Sequence, residues 1–399
     1  MTGPLAGVRV VEITSVVLGP WAAQILGDLG ADVIKIEPPA GDTTRNIGPA
    51  RNTGMGSMFL GANRNKRSVV LDLKQPAGQA AALKLAAGAD VFLHNLRPAA
   101  AQRLGLGYEA VRAANPTIIY CGTYGYRAEG PYADYPAYDD IIQAKSSVPV
   151  LHNMAQGVPN YMPSVVADKT TSLAVVYAIN AALFHRERSG QGQAVEVPMF
   201  EAMVAFMMPE HLFGQSFEPP LTNAGYVRVL SPHRKPQATK DGFIAVLPHT
   251  DAHWRYFLGV AGHQAVLDDE RFTDVAKRTQ FIDDLYEQLA DIIAERTTAE
   301  WLALLDPEIL PFTALNTPDE LIDDPQLAAT GFWQQVDHPS EGRLRIPDQP
   351  IGFSESPDGY RRHAPRLGEQ SIEVLREAGL DDGEIDALLS QGITIDGSS

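Results

Sequence analysis

The chain has 399 residues, 45% hydrophobic and 20% charged, ordinary values for a globular protein with room for two or so domains. Its 49 Asp and Glu outnumber 32 Lys and Arg, and the net charge of −17 argues against general nucleic-acid or anionic-membrane binding. A single cysteine, Cys121, excludes an internal disulfide and a cysteine-rich metal site, and no apolar run is long enough to span a bilayer.

The first residues lack a basic stretch followed by an apolar core, so a cytoplasmic protein is expected. Charge is unevenly spread. Through Gly105 eleven Lys and Arg stand against seven Asp and Glu, a balance of +4, while the remainder carries −21. A mildly basic amino-terminal quarter of an acidic protein suits an anionic cofactor.

In chain order, residues 8–13 read as a strand rich in β-branched residues, 21–29 as a helix ended by Gly30, and 31–37 as a second strand stopped by Pro38-Pro39. Strand, helix and strand in about 30 residues imply a parallel sheet with a crossover helix. The alternation continues with strands at 68–73, 90–94 and 117–123 and helices at 76–88, 98–104 and 108–114. The fold class is therefore α/β, with a large doubly wound, Rossmann-like parallel-sheet domain. Ligands in such sheets bind beyond the carboxyl ends of strands. That points to residues 15–19, 37–45, Lys74, 95–97 and 124–138.

Those loops hold no Gly-x-Gly-x-x-Gly dinucleotide fingerprint and no phosphate loop, so no nucleotide redox cofactor is expected. No acidic or histidine cluster has metal-ligand spacing, and no metal is expected; His94, His152 and His185 stand alone. Residues 189–193 form a turn before a strand at 194–197. A Met/Phe-striped helix follows from 199 to about 214, read as core. A hairpin with Asp241-Gly242 at its turn, and helices at 253–260, 281–296 and 298–305, mark a smaller α+β domain. The expected organisation is residues 1–205 and 330–399 for the large domain, 225–325 for the small one, and 206–224 and 326–345 as linkers. A last amphipathic helix spans 381–389, and the tail beyond Ile395 is expected to fray.

Asp168 stands after the apolar residues Val165, Val166 and Ala167 and before a helix whose apolar residues from Leu173 to Phe184 predict burial nearly all round. On this segment alone it reads as an N-cap kept ionised by the helix terminus. A positioned, ionised carboxylate is also what covalent catalysis by Asp requires.

Several motifs in order carry a resemblance. They are residues 5–12, Gly19-Pro20-Trp21, residues 29–37, Gly41-Asp-Thr-Thr-Arg45, residues 65–74 and Asn95-Leu96-Arg97-Pro98. Tyr138-Asp139 with Gln143-Ala144, the run from Asp168 to Gln193, and residues 364–369 complete the set. Together they resemble the class III CoA-transferases, the CaiB/BaiF family that includes formyl-CoA transferase and the carnitine-pathway transferase. The resemblance implies that coenzyme A, as acyl-CoA, is a substrate and that Asp168 is the catalytic carboxylate. It attacks the thioester to form an anhydride, then an aspartyl-CoA thioester, and a second carboxylic acid leaves as the new thioester. The residues implied for CoA are Val16, Val17, Leu18, Leu71, Lys74, Asn95, Leu96, Arg97, Arg103, Ala137, Tyr138 and Asp139. An interlocked homodimer is implied as well.

The chain departs from formyl-CoA transferase at three places. Val17 stands where that family member has a glutamine, Pro38 where it has a CoA-binding arginine, and residues 231–236, without glycine, where it has a glycine-rich loop. The acyl pocket is therefore expected to differ. An α-methylacyl-CoA racemase is the competing family member, but Tyr138 occupies the place of its histidine, and a phenol is a poor base near pH 7. A catalytically idle CoA-binding paralogue is the third reading.

Overall fold

Six short strands, β1 (Arg9–Ile13), β2 (Asp32–Glu37), β3 (Lys66–Val70), β4 (Val91–His94), β5 (Ile119–Gly122) and β6 (Gln193–Glu196), form one sheet in the order β3-β2-β1-β4-β5-β6. All five pairings are parallel. This is the computed structural model of the chain, describing residues 3–357 and 359–398. Val10, Val11, Val33, Val91, Phe92 and Ile119 are buried, as expected of parallel strands covered on both faces. The six expected strands are all present. The third begins two residues early and ends three early, because its pairing with β2 runs from Val33–Lys66 to Glu37–Val70. Its charged first residue is tolerated because the Lys66 ammonium is fully partnered inside the domain.

Strand order decides where a ligand can lie. The chain adds β2 and β3 on one side of β1, then returns to lay β4 on the other. The loops after β1 and β4 therefore diverge at the carboxyl edge and leave a crevice.

Contacts divide the chain into two units, one of residues up to 146, 162–206 and from 325 on, the other of 147–161 and 207–324. The first holds the parallel sheet and an antiparallel hairpin, β10 (Trp333–His338) with β11 (Gly342–Pro347). The second holds a three-stranded antiparallel sheet in the order β7 (Gln237–Ala238), β8 (Phe243–Val246), β9 (Phe312–Ala314). Asp241-Gly242 lies between β7 and β8, where the hairpin signature put it. Trp254, Phe257, Leu285, Leu289 and Trp301 build this unit's own core.

Three expectations about local structure need correction. The Val166–Ser189 helix is not buried all round: Val175 and Ile179 are fully buried, but Leu173, Tyr177 and Phe184 are 52%, 69% and 65% exposed. Apolar residues on every side of a helix do not reveal which side meets the core. In the Met199–His211 helix, Met203 is core but Phe206 is 56% exposed. The tail is tied down rather than frayed, since the Gly397 N–H donates to Gly368 O at 3.1 Å and Arg366 donates to Ser398 O at 2.8 Å; Ser399 lies outside the described residues. Cys121 is free and buried in β5, and burial pushes its thiol up to about 12, as suits an inert core residue.

Candidate active site

Burial of charge shapes the carboxyl edge of the sheet. Lys66 and Glu12 are wholly buried and paired at 2.7 Å; the ammonium also donates to Pro20 O at 2.7 Å and Asn63 Oδ1 at 2.8 Å. Lys35, equally buried, donates to Asp42 Oδ2 at 3.0 Å and to the Thr14 carbonyl at 2.8 Å. Arg45 makes a fork with Glu37, Nε to Oε2 at 2.8 Å and Nη2 to Oε1 at 2.6 Å, and lies 3.7 Å from the Phe59 ring centre. Ions desolvated to this degree persist only when their bonding groups are satisfied. Thus the charged residues of β2 and of the loop after it, Lys35, Glu37, Asp42 and Arg45, pair with one another and brace the backbone after β1. Asp42 Oδ1 also accepts from the Val16 N–H at 3.4 Å.

The braced loop continues through Val16, held at φ +70°, a strained conformation for a β-branched residue and one that collects at functional sites. Gly19 follows where an added Cβ would lie 2.4 Å from the Thr14 side chain, so only glycine permits the turn into the Leu18–Asp28 helix. Across the switch point Asn95 closes the pair of loops: its Nδ2 donates to Ser15 O at 2.9 Å and its Oδ1 accepts the Ser15 N–H at 3.2 Å. Arg97 Nη1 donates to Asp134 O at 2.8 Å, tying the loop after β4 to the loop after β5. A Cβ on Gly125 would sit 2.3 Å from Ala137 Cβ, so this loop folds back on itself only with glycine there.

These loops enclose a cleft of about 370 Å³, and among the described residues Asp168 is the one carboxylate on its lining. The Val166–Ser189 helix presents it in the first turn, with Val165 as N-cap. Asp168 is therefore not the capping residue. Its N–H donates to Asp139 Oδ1 at 2.9 Å, and Asp139 Oδ2 accepts from Gln143 Nε2 at 2.6 Å. Gln143 in turn accepts the Met162 N–H at 2.9 Å and donates to Ser164 O at 3.2 Å, fastening the segment that leads into the helix. The Asp168 carboxylate itself accepts no hydrogen bond from the described residues. Burial, then the negative charge of Asp139, push it up to about 7. The expectation that the helix terminus holds it firmly ionised fails, because desolvation and a second carboxylate outweigh the terminus.

The sequence-derived residues divide into groups. Val16, Leu18, Asn95, Leu96, Arg97, Ala137 and Tyr138 line the cleft with Asp168. Val17 caps the Leu18–Asp28 helix with its side chain buried. Leu71 is fully buried in the core of the first unit, and its N–H is already bonded to Glu37 O, so it offers nothing to a ligand there. Lys74 and Arg103 are exposed and lie outside the cleft lining. Asp139 is buried behind Asp168 rather than on the wall. Met199 lines the cleft without having been anticipated. It lies three residues beyond β6, where the strand-end rule applied to the last strand would have found it. Among the described residues no group of three or more His, Cys, Asp or Glu is placed to hold a metal ion, and no helix is long and apolar enough to cross a membrane.

Comparison with known proteins agrees with the fold. The model of CoA-transferase family III matches residues 5–371. The succinate–glutarate CoA-transferase of Agrobacterium fabrum is 34% identical over 94% of this chain and 95% of its own length. The mouse succinyl-CoA:glutarate CoA-transferase is 31% identical over 98% and 90%. A CaiB/BaiF family protein from Brucella suis, known by its crystal structure, superposes with a TM-score of 0.80 at 29% identity, covering 95% of this chain and all of that one. This chain belongs to CoA-transferase family III, enzymes that use acyl-CoA as a substrate.

Proposed function

We propose that Asp168 is the nucleophile of an acyl-CoA:carboxylate CoA-transferase working through covalent aspartyl intermediates. The observation that carries this reading is that, among the described residues, buried Asp168 is the one carboxylate lining the switch-point cleft and its oxygens have no hydrogen-bonded partner. A carboxylate stripped of hydrogen bonds and raised to about 7 is more basic, and hence more nucleophilic, than an ordinary aspartate, yet is still substantially ionised at neutral pH.

In the first step an Asp168 oxygen attacks the thioester carbonyl, the C–S bond breaks, and a mixed anhydride and CoA thiolate result. The thiolate attacks the aspartyl carbonyl of the anhydride, releasing the first acid as its carboxylate and leaving aspartyl-CoA thioester. The incoming carboxylate attacks that thioester, regenerating thiolate and a new anhydride. The thiolate then takes the new acyl group, and Asp168 returns as carboxylate. No proton is consumed. The neighbouring loops contribute by position: Leu18, Leu96 and Met199 limit water at the anhydride, and Arg97 is the cation on the lining.

For the acids, the whole-length similarity to succinate–glutarate and succinyl-CoA:glutarate CoA-transferases supports dicarboxylates as first candidates. The racemase reading loses ground at the same cleft, whose lining has Tyr138 and, among the described residues, neither histidine nor lysine. The proposal includes an interlocked homodimer, supported by the exposed Leu173, Tyr177 and Phe184. The decisive experiment incubates the protein with succinyl-CoA, traps with hydroxylamine and maps the adduct by peptide mass. An adduct on the Asp168 peptide is expected; exchange proceeding without one overturns the covalent route. Deuterium entering the α-carbon of a 2-methylacyl-CoA without acceptor acid would favour the racemase.

A further inference from the structure

One face of the parallel sheet carries a gap. The registers of β4, β5 and β6 align Phe92 with Tyr120 and Ala194, and His94 with Gly122 and Glu196. Partners in adjacent parallel strands present their side chains on one face, so each set forms a row across the sheet. The first row is filled, with the Phe92 and Tyr120 rings stacked at 5.6 Å between centroids. The second has glycine at its centre. A Cβ on Gly122 would lie 3.2 Å from His94 Nε2 and 3.0 Å from the Tyr124 ring. A cavity of about 220 Å³ opens at this row, bounded also by Pro98, Gln102 and Tyr108 of the two short helices after β4. Among the described residues, Tyr124 is the only one common to its lining and that of the Asp168 cleft.

Two hydroxyls on the lining are already engaged. Tyr120 donates to Leu106 O at 2.9 Å, and Tyr124 donates to Glu196 Oε1 at 2.6 Å, which also accepts the Ala128 N–H at 2.7 Å. His94 is different. It is 2% exposed, and neither ring nitrogen makes a hydrogen bond with a described residue. Burial pushes it down to about 4, against a smaller pull from the Leu96 backbone that no hydrogen bond accompanies, so the ring is neutral at pH 7. A neutral imidazole offers one donor and one acceptor. Leaving both unmade in a buried site costs free energy that a bound polar group recovers.

We infer that this cavity binds a small uncharged phenol, its ring among Tyr108, Tyr120 and Tyr124 and its hydroxyl bonded to His94 where Gly122 leaves room. The size fits, since a cavity of about 150 Å³ already holds benzene, and aromatic walls favour an aromatic guest. A hydroxyl suits a neutral imidazole because it both donates and accepts. Among the described residues no Lys or Arg lines the cavity while Glu196 does, so carboxylates and phosphates find no counter-charge there. The site is separate from the transfer chemistry at Asp168 and does not depend on it.

The test is calorimetric titration of the full chain with p-cresol, toluene and benzoate. p-Cresol is expected to bind, and the other two at least about tenfold more weakly, because toluene leaves His94 unpaired and benzoate meets Glu196. His94→Phe should weaken p-cresol about tenfold or more and abolish its advantage over toluene. Ala194→Phe fills the cavity from an exposed position on the edge strand β6 and should weaken p-cresol by about the same factor, so it decides the matter if His94→Phe fails to fold. Asp168→Ala and added coenzyme A should leave p-cresol binding unchanged. Toluene binding the parent as tightly as p-cresol, p-cresol binding that survives either cavity variant, its displacement by coenzyme A, or no binding at all overturns the proposal.

Discussion

Asp139 accepts the main-chain N–H of Asp168 at 2.9 Å, so one carboxylate fixes the backbone of the other while its charge disfavours the other's ionisation. The same contact positions the proposed nucleophile and tunes it. Neither carboxylate alone would account for a side chain that is both held in place and raised to about 7.

Replacing Asp168 with asparagine should separate stability from activity. Exchange is expected to fall by roughly 10³-fold or more. The folded-state value lies above the ordinary one, so the folded protein holds the proton more tightly, and wild-type stability declines as pH rises from about 4 to about 7. Asp168→Asn escapes that decline and should be more stable at pH 8 by on the order of 2–4 kcal/mol, the gain vanishing near pH 4. Urea titrations of both proteins at the two pH values check this.

If Asp168 attacks the thioester as proposed, it does so ionised, and kcat/KM should rise with pH through about 7. Asp139→Asn retains an oxygen to accept the Asp168 N–H but removes the charge. Burial, the larger cause, remains, so the acid limb should move down only part of the way toward an ordinary carboxylate value. A pH profile in which the limb stays in place would remove Asp139 from the account.

Lys35→Met leaves Asp42 buried without its ammonium and frees the Thr14 carbonyl. A loss of about 3–5 kcal/mol is expected from breaking a buried pair. Denaturant unfolding measures it, and combining Lys35→Met with Asp42→Asn should recover part.

Gly125→Ala places a methyl where Ala137 already stands, so the loop carrying Ala137 and Tyr138 must shift. Activity should fall on the order of 10²-fold, as expected for a displacement of about 1 Å at a reacting site. Gly125→Ala paired with Ala137→Gly should restore much of it in steady-state assays.

Tyr177→Lys puts a charge into the exposed stripe of Leu173, Tyr177 and Phe184. If this stripe is covered by a second copy of the chain, light scattering should show a shift toward monomer; an unchanged mass would exclude it from the interface.

Periodicity alone located all six strands of the parallel sheet, because β-branched runs between Ala/Leu-rich helices leave few other ways to bury both. The strand-end rule likewise selected Val16, Leu18, residues 95–97 and the loop 124–138, of which Val16, Leu18, 95–97, Tyr124, Gly125 and 135–138 line the cleft. Spacing could not separate charged residues that face a ligand from those that pair with one another. Arg45, Lys35 and Lys66 carry charges that suit phosphate, yet tertiary contacts enclose all three with Glu37, Asp42 and Glu12. Leu71 lies next to a strand end but faces the core.

What the sequence by itself determined is the order of strands and helices along the chain, the loops in which a ligand belongs, and Asp168 as the carboxylate to watch. Only the tertiary structure decided that Asp168 is the third residue of its helix rather than the cap, and that Asp139 stands behind it. The physical reason is common to these cases: hydrophobic pattern is a property of neighbouring residues, whereas desolvation and charge pairing depend on residues brought together from distant parts of the chain.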